Sequence, residues 1–379
     1  ATTTFSGSVP VGSYTCAAVH YPFCAATFDA VNKTFTHTWG DAYCSTDLAA
    51  YDFMFSTVYE TPFVVDETTT VLPIALTFRP LMARIGMKLA LGANETPKYV
   101  TFTTDDNVLP TAGTVNADGT FSASALTNSL TVETDRKEFT VGLLPVGVAS
   151  KMSVHVTTTD GMTYSDKSFQ LAGLKRNTHY TMNVPCRTKR FMLTVPDGVN
   201  SKYGTGTYGD NGFFQVEPQY DPECIFDGWH FLRSEIKSDK DAADGDVLKN
   251  RNRIQLQAVS LGTNRAQNGA FVTPPIQCDG TKTVTVSFTA ATNKLTVGSV
   301  QYRIGVTNNG ADISEDFLRS FDNIQSSLEG ECPWKHSGSV SRTHTFTVTN
   351  GQRIMMKVYS SGGGTPCHLE LADFTYTVE

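Results

Sequence analysis

The sequence has few charged residues, and its charge balance is not basic. Asp, Glu, Lys and Arg make up 18% of the 379 residues, and 30 Lys and Arg stand against 37 Asp and Glu, which gives a formal net charge of −7. About a quarter of a typical globular chain is charged. A basic surface that would neutralise phosphates is therefore not expected, and the composition argues against nucleic acid as a partner.

Long apolar runs and a recognisable targeting segment are also missing. No stretch approaches the ~18 consecutive apolar residues of a membrane-spanning helix. The first residues, Ala1–Thr4, lack the character of a signal peptide. We therefore expect a soluble chain that has already been processed. Its length predicts about two domains, each large enough to bury its own core.

The cysteines contain no C-x-x-C pair, so a zinc ribbon or a thioredoxin-like centre loses its usual support. The eight are Cys16, Cys24, Cys44, Cys186, Cys224, Cys278, Cys332 and Cys367. An even number allows disulfides, with Cys332–Cys367 and Cys224–Cys278 as candidate pairs. Buried free thiols are an equally good interpretation. The cysteines alone do not identify a redox compartment.

Threonine is abundant, with 52 residues, and this β-branched side chain favours pleated, half-exposed surfaces. Apolar and polar residues also alternate in many places, which puts one face of a strand in a core and the other in water. The segments are Leu72–Phe78, Ile85–Leu91, Met152–Val156, Tyr180–Val184, Val284–Phe288 and Phe346–Val348. The predicted fold class is all-β, built from antiparallel half-buried strands.

Two segments depart from simple alternation. In Leu369–Val378 the apolar positions change phase, and a β-bulge near Ala372–Asp373 would reconcile the two halves. In Asp312–Glu329 the apolar residues recur at helical spacing after a start at Asp312 that resembles a capping box. We predict one short helix there, with an apolar face formed by Ile313, Phe317, Phe321, Ile324 and Leu328.

The domain junction is predicted near Val184–Arg190, where a strand ends at Pro185 and a new strand begins after a basic cluster. The two domains would span residues 1–186 and 187–379. Short charge runs are usually solvated. We therefore expect the cluster Arg187–Arg190 to be an exposed charge run, with a protease-sensitive linker as the alternative.

No motif for covalent chemistry stands out. Gly204–Gly209 matches G-x-G-x-x-G, but a turn and a strand follow it, whereas the dinucleotide fingerprint needs a helix there. H-E-x-x-H and G-x-S-x-G are missing, and Pro366–Glu370 fits a strand better than a zinc site. We expect no catalytic residues and no enzyme, although two carboxylates meeting across a sandwich could still form a glycosidase.

Aromatic residues of the second half suggest a ligand site. Trp229, Trp334 and His336 lie in polar, loop-like sequence contexts, and flat aromatic rings can stack on sugars. Large aromatic side chains are more often buried, so a core position is the competing interpretation for the tryptophans. No cofactor is expected, apart from a structural calcium ion that loop carboxylates such as Asp227, Asp373 or Glu217 could ligate.

Three stretches of the first half, Asp47–Met54, Leu72–Ile85 and Phe169–Val184, carry a family resemblance. They look like a "D-L/Y-x-x-A" strand, an "L-x-F-x-H-x-L-x-K-I" segment and a closing "L-x-x-G-x-x-Y-x-x-x-V" strand. On these motifs residues 1–185 resemble the fimbrillin-like family of Bacteroidales cell-surface pilin and adhesion proteins. Pro80 stands where that family usually has His, which indicates a divergent member.

The resemblance implies a seven-stranded transthyretin-like sandwich, export as an outer-membrane lipoprotein or fimbrial protein, and assembly with other pilus subunits by strand donation. The second half, through Asp227–Trp229, Asn268–Ile276 and Ala372–Tyr376, resembles jelly-roll domains of adhesins and carbohydrate-binding modules. Together these imply a pilus tip or accessory adhesin that binds a surface glycan or protein. The alternatives are a surface glycan-binding protein or divergent glycoside hydrolase of a polysaccharide-utilisation system, and a second half that serves only as a spacer.

Overall fold

The chain forms two compact units. Unit 1 consists of Ala1–Ala90, Pro97–Val156 and Ser165–Pro185, and unit 2 consists of Leu91–Thr96, Thr157–Tyr164 and Cys186–Glu379. The structure is a computed structural model, and it describes residues 8–21, 26–69, 71–116, 118–194, 200–203, 213–215, 228–237, 248, 251–258, 268–293, 299–307, 313–333, 338–361 and 367–379.

Nearly every element of the first half is a strand. The strands are β1 (Gly12–Tyr14), β2 (His20–Tyr21), β3 (Thr27–Asp29), β4 (Thr34–Thr38), β5 (Met54–Ser56), β6 (Phe63–Val65), β7 (Phe78–Pro80), β8 (Ala83–Ala90), β9 (Pro97–Thr104), β10 (Leu109–Val115), β11 (Phe121–Thr127), β12 (Ser129–Glu133), β13 (Glu138–Leu143), β14 (Ser150–Thr158), β15 (Thr163–Leu171) and β16 (His179–Pro185). A single helical turn, α1 (Leu48–Tyr51), interrupts them.

Unit 1 contains several small sheets. Their strand orders are β1-β6, β2-β5-β7, β11-β10-β4-β3 and β13-β8-β16, and β12, β9, β14 and β15 are hydrogen-bonded in that order. β8 and β14 alternate between buried and more exposed residues along their whole length. The alternation predicted at Ile85 and at Met152 is therefore confirmed, and these side chains lie in the core of unit 1.

The second half continues with β17 (Lys189–Met192), β18 (Asn200–Tyr203), β19 (Phe213–Gln215), β20 (His230–Leu232), β21 (Ser234–Lys237), β22 (Arg253–Ala258), β23 (Ala270–Val272), β24 (Thr281–Asn293), β25 (Ser299–Thr307), α2 (Glu315–Arg319), β26 (Gln325–Pro333), β27 (Val340–Thr349), β28 (Arg353–Ser361) and β29 (Cys367–Val378).

Unit 2 is a β-sandwich of two sheets. One has the order β17-β29-β22-β21-β18, with β24 joining β29 to β27, and the other has the order β19-β20-β23-β28-β25-β26. Buried side chains of both sheets form one hydrophobic core, which includes Val286 and Tyr376 from the first sheet and Phe271 and Met356 from the second. The predicted all-β class is confirmed.

The bulge predicted at Ala372–Asp373 is present. The register between β24 and β29 shifts between Ser287, which pairs with Thr375, and Thr289, which pairs with Ala372. Asp373 has a φ of 51°, a left-handed conformation that the extra residue of a bulge can adopt. Because of the bulge, the apolar side chains on both sides of it are buried in the core, although they occupy odd-numbered positions before the bulge and even-numbered positions after it.

Two local predictions of strands are wrong. Residues 71–77 lie outside any strand, and only Phe78 of the predicted strand is in one, because Pro73 cannot donate a ladder hydrogen bond. Asp47 starts a helical turn by accepting the Ala50 amide, where a strand was expected.

The predicted helix of residues 312–329 is limited to α2, capped by Ser314. It ends at Ser320, and Leu328 belongs to β26, which pairs with β25. Ile313, Leu318 and Ile324 pack together in a small apolar cluster. The helical spacing therefore identified the buried residues in and around α2, whereas Leu328 on β26 is 42% exposed.

Candidate functional site

A lysine and two carboxylates meet in the interior of unit 2. The Nζ atom of Lys189 lies 2.6 Å from Oδ2 of Asp160 and 3.0 Å from Oε1 of Glu95. The side chains of Lys189 and Asp160 are each 1% exposed, and the side chain of Glu95 is 7% exposed. We call these three residues the buried lysine cluster. Buried charges need a partner, so each of the three depends on the others.

Each member of the cluster comes from a different segment of unit 2. Lys189 begins β17 and shares the buried face of that strand with Phe191. Asp160 lies in the turn between β14 and β15, and Glu95 lies in the segment between β8 and β9. β15 pairs with β17 so that Tyr164 is opposite Lys189. This pairing brings the turn and the lysine together.

Hydrogen bonds fix both carboxylate oxygens of Asp160. Its Oδ1 accepts the Thr158 hydroxyl at 2.5 Å and the Met162 amide at 3.2 Å. Its Oδ2 accepts the Gln277 amide at 2.9 Å in addition to the ammonium group of Lys189. These donors come from two sides of the carboxylate, so the group is held in one orientation against the lysine.

Glu95 is held in a similar way. The Tyr164 hydroxyl donates to its Oε1 at 2.6 Å, and the Gly92 amide donates to its Oε2 at 2.9 Å. Burial raises the pKa of Glu95, but the charge of Lys189 and these two donors outweigh burial and leave that pKa below 4.5. Burial and the bond to Glu95 raise the pKa of Tyr164, which keeps it a phenol. Glu95 is therefore ionised at neutral pH.

The prediction that Arg187–Arg190 is a solvated charge run is wrong for Lys189. Its ammonium group donates to the backbone carbonyl of Gln277 as well as to the two carboxylates, so all three of its donors are used. The sequence carries a signal for this position, because Lys189 has the parity of Phe191 and Leu193, which are buried. Asp160 and Glu95 had no comparable signal.

The structure corrects the location expected for Trp229, which is not on a surface loop. Its side chain is 1% exposed and lies in the core of unit 2. The ring stacks on Phe231 at a centroid distance of 5.8 Å and contacts Phe191 at 5.0 Å. Trp334 and His336 lie outside the described residues, so a ligand role for them stays a prediction.

A structural calcium site has one described candidate. Asp373 forms an ion pair with Arg251 and accepts a hydrogen bond from Thr289, whereas Asp227 and Glu217 lie outside the described residues. In the described part of the chain, no group of three His, Cys, Asp or Glu side chains is placed to hold a metal ion. The calcium expectation stays untested.

Two of the described cysteines, Cys44 and Cys278, are free thiols. Cys278 is a free cysteine with its Sγ 3.9 Å from the carbonyl oxygen of Gly280, so the candidate Cys224–Cys278 disulfide is not formed. Burial raises the pKa of the Cys44 thiol to about 12, which makes it unreactive. The side chain of Cys367 lies outside the described residues, and its pairing with Cys332 stays a prediction.

Unit 1 exposes apolar side chains next to an edge strand. β11 ends its sheet, pairing with β10, and its five central residues are exposed, including Leu126 at 48%. Residues 71–77, which form no strand, expose Val71, at 81%, and Leu72. An edge strand offers backbone hydrogen-bonding groups to another chain. β11 is therefore a surface of unit 1 that could accept an added strand.

Comparisons with known proteins bear on the first half of the chain. Residues 12–197 match the model of the fimbrillin-like family. A search of curated proteins finds no match. Among the residues that the structure describes, no helix has the length and apolar character needed to cross a bilayer.

Several solved structures are similar to this chain. A proposed cell adhesion protein from Bacteroides ovatus is 22% identical, with a TM-score of 0.33, over 46% of this chain and 63% of that one. A second, from Bacteroides uniformis, is 16% identical, with a TM-score of 0.31, over 44% of this chain and 66% of that one. The C-terminal carbohydrate-binding module of a laminarinase from Zobellia galactanivorans is 10% identical, with a TM-score of 0.23, over 39% of this chain and 93% of that one.

The match to this chain thus spans less than two thirds of the length of either Bacteroides protein. The family match covers most of unit 1 and continues just beyond β17. Residues 12–197 of this chain are therefore similar to the fimbrillin-like family.

Proposed function

We propose that this protein is a non-enzymatic adhesion protein of the cell surface, acting as a pilus tip or accessory subunit. The observation that carries this proposal is the fimbrillin-like match over residues 12–197. In this proposal residues 1–186 serve assembly or anchoring, as part of an outer-membrane lipoprotein or fimbria, and residues 187–379 bind a glycan or protein receptor. The β-sandwich of unit 2 offers a rigid support for such a binding surface.

The binding function is tested with the full chain on an array of bacterial and host glycans and on a panel of host matrix proteins. We expect at least one ligand to bind, and we expect Trp334→Ala to weaken that binding by 10-fold or more, since an aromatic ring that contacts a ligand contributes on the order of 1–3 kcal/mol to binding. Tyr21→Ala, which removes an exposed ring from unit 1, is the matched control and should bind as the wild type does.

Two results would contradict this binding proposal. No binding to the array or to the panel at high protein concentration would remove the receptor function. Release of reducing sugar from a bound glycan would identify an enzyme, and the glycan-processing alternative would then replace adhesion.

Assembly is proposed to proceed by strand addition to other pilus subunits, using the edge strand β11 and the exposed apolar residues Val71 and Leu72. A neighbour's strand would supply backbone hydrogen bonds and alternate apolar side chains. Charged side chains on an edge strand oppose such pairing. Leu126→Lys should therefore reduce the amount of polymer recovered from expressing cells at least several-fold, as measured by native gel electrophoresis.

The control for assembly is Val31→Lys. Val31 is 88% exposed and lies in the turn between β3 and β4 of the same sheet, so this variant adds the same charge away from the edge. We expect it to polymerise normally. Equal polymer yields from both variants would show that β11 is not the pairing edge.

A further inference from the structure

We propose that Lys189 and Asp160 become joined by an amide bond between Nζ and Cγ, formed within unit 2 after it folds, with Glu95 as the catalytic residue that moves the protons. The observation behind this proposal is the direct contact of an amine with a carboxyl group, 2.6 Å apart, beside a second carboxylate at 3.0 Å. The cross-link is a modification site of the protein's own side chains.

The geometry holds the reacting groups in place. The Asp160 carboxylate is fixed by Thr158, Met162 and Gln277, as described above. The contact of Nζ with Oδ2 puts the amine one bond away from the carbon it would attack. Positioning of this kind can supply effective molarities of roughly 10⁵–10⁸ M. An amide that forms negligibly between free side chains in water can therefore form here.

The surroundings exclude water. Met162, two residues after Asp160, and Phe191, two residues after Lys189, both belong to the hydrophobic core of unit 2, together with Tyr376. A buried ion pair carries a desolvation cost that its mutual attraction only partly repays. Condensation replaces the charges of Lys189 and Asp160 with one neutral amide and releases a water molecule, so burial favours the product for this pair, while Glu95 keeps the Tyr164 hydroxyl and the Gly92 amide as donors.

The reaction balances without any added reagent. Glu95 accepts a proton from the Lys189 ammonium group, and the resulting amine attacks Cγ of Asp160. The Thr158 hydroxyl and the Met162 amide donate to Oδ1 and stabilise the negative charge that develops there. The proton on Glu95 and a second proton from Nζ pass to Oδ2. The Cγ–Oδ2 bond then breaks, water leaves, and Glu95 is a carboxylate again.

The product keeps the hydrogen bonds to Oδ1 of Asp160, whereas the Gln277 amide loses Oδ2 as its acceptor. The amide retains one N–H, which can donate to the Gln277 carbonyl that accepts from Lys189 now. Glu95 keeps its donors Tyr164 and Gly92. The bond would tie the turn between β14 and β15 to β17, residues 29 apart in the chain. A covalent tie at this place would resist separation of the paired strands.

The test is the intact mass of the folded full-length protein after denaturation. We expect the wild type to be lighter than its sequence by one water molecule, and proteolysis should yield a branched peptide that contains Lys189 and Asp160. Lys189→Met, Asp160→Ala and Glu95→Gln should each have the full mass of their sequences. Lys88→Met is the control: Lys88 forms an exposed ion pair with Glu138 at 2.9 Å, and this variant should lose water as the wild type does.

Each outcome decides the question. A wild-type mass equal to that of the sequence after prolonged incubation would overturn the proposal and leave an ion pair only. Loss of water from Glu95→Gln at the wild-type rate would overturn the role of Glu95. If a variant does not fold, the wild-type mass and the branched peptide still decide whether the bond exists. Binding to glycans is a separate measurement, so failure of the adhesion proposal would not affect this one.

Discussion

Trp229→Ala is expected to lower the free energy of unfolding of unit 2 by about 3–5 kcal/mol, the range observed when a large aromatic side chain is removed from a core. The ring lies against five other aromatic rings, those of Phe191, Phe231, Phe271, Phe374 and Tyr376, at centroid distances of 5.0–6.4 Å. Its removal would leave a cavity that rigid paired strands on both sheets cannot close.

The measurement is unfolding in urea monitored by circular dichroism, and the transition of unit 2 gives its free energy of unfolding. Met192→Ala is the matched control, because Met192 lies on β17 next to Phe191 but is 57% exposed. We expect the control to stay within about 0.5 kcal/mol of the wild type. An effect of Trp229→Ala no larger than that of the control would contradict the buried position and would return this ring to the candidate ligand site.

The error about Trp229 has a local cause. The residues before it, Asp227 and Gly228, are typical of a turn, and Gly228 has a φ of 74°, which glycine adopts without strain. The chain turns there and enters β20 at once, so Trp229 is the first residue to point into the core. Sequence context identified the turn correctly but could not show on which side of it the ring lies.

Alternation predicted the strands that form the cores and failed where no strand ladder forms. β24 and β27 carry the buried side chains Val286 and Phe346 as the pattern predicts. Residues 71–77 alternate equally well but lie outside any strand, because pairing depends on a neighbour that the pattern does not contain. The same limit applies to α2, where Leu328 has helical spacing but β25 offers β26 a ladder of hydrogen bonds.

The buried lysine cluster could be predicted only in part. Lys189 has the parity of a buried residue, but Glu95 and Asp160 are brought to it by turns far away in sequence. Turn signals such as Asp160–Gly161 indicate a change of direction and do not specify the partner of the aspartate. Sites built from separate segments therefore depend on strand register, here the pairing of Tyr164 with Lys189.

Lys357 is a second buried lysine, and it should make the stability of unit 2 depend on pH. It lies on β28, donates to the backbone carbonyl of Asn268 at 3.0 Å and stands 5.2 Å from the ring centre of Phe321. Burial first, and then the positive charges of Arg319 and Arg233, lower its pKa from 10.5 to about 7. Between these two values the unfolded chain binds more protons than the folded one, so stability rises with pH across this window.

We therefore expect the difference in free energy of unfolding between Lys357→Met and the wild type to fall by about 4 kcal/mol from pH 7 to about pH 10, since each pKa unit corresponds to about 1.4 kcal/mol. Met is neutral at every pH, so its advantage is largest below pH 7, where the wild-type lysine must be buried with its charge. Denaturant unfolding at a series of pH values provides the measurement.

Lys282→Met is the control for this prediction, because Lys282 lies on β24 of the same unit and is only partly buried. The cysteines and tyrosines titrate alike in both variants and in the wild type. The difference in free energy of unfolding between a variant and the wild type therefore depends on pH only through the substituted lysine. A pH dependence of Lys357→Met that parallels the wild type would mean that Lys357 keeps its charge in the folded protein.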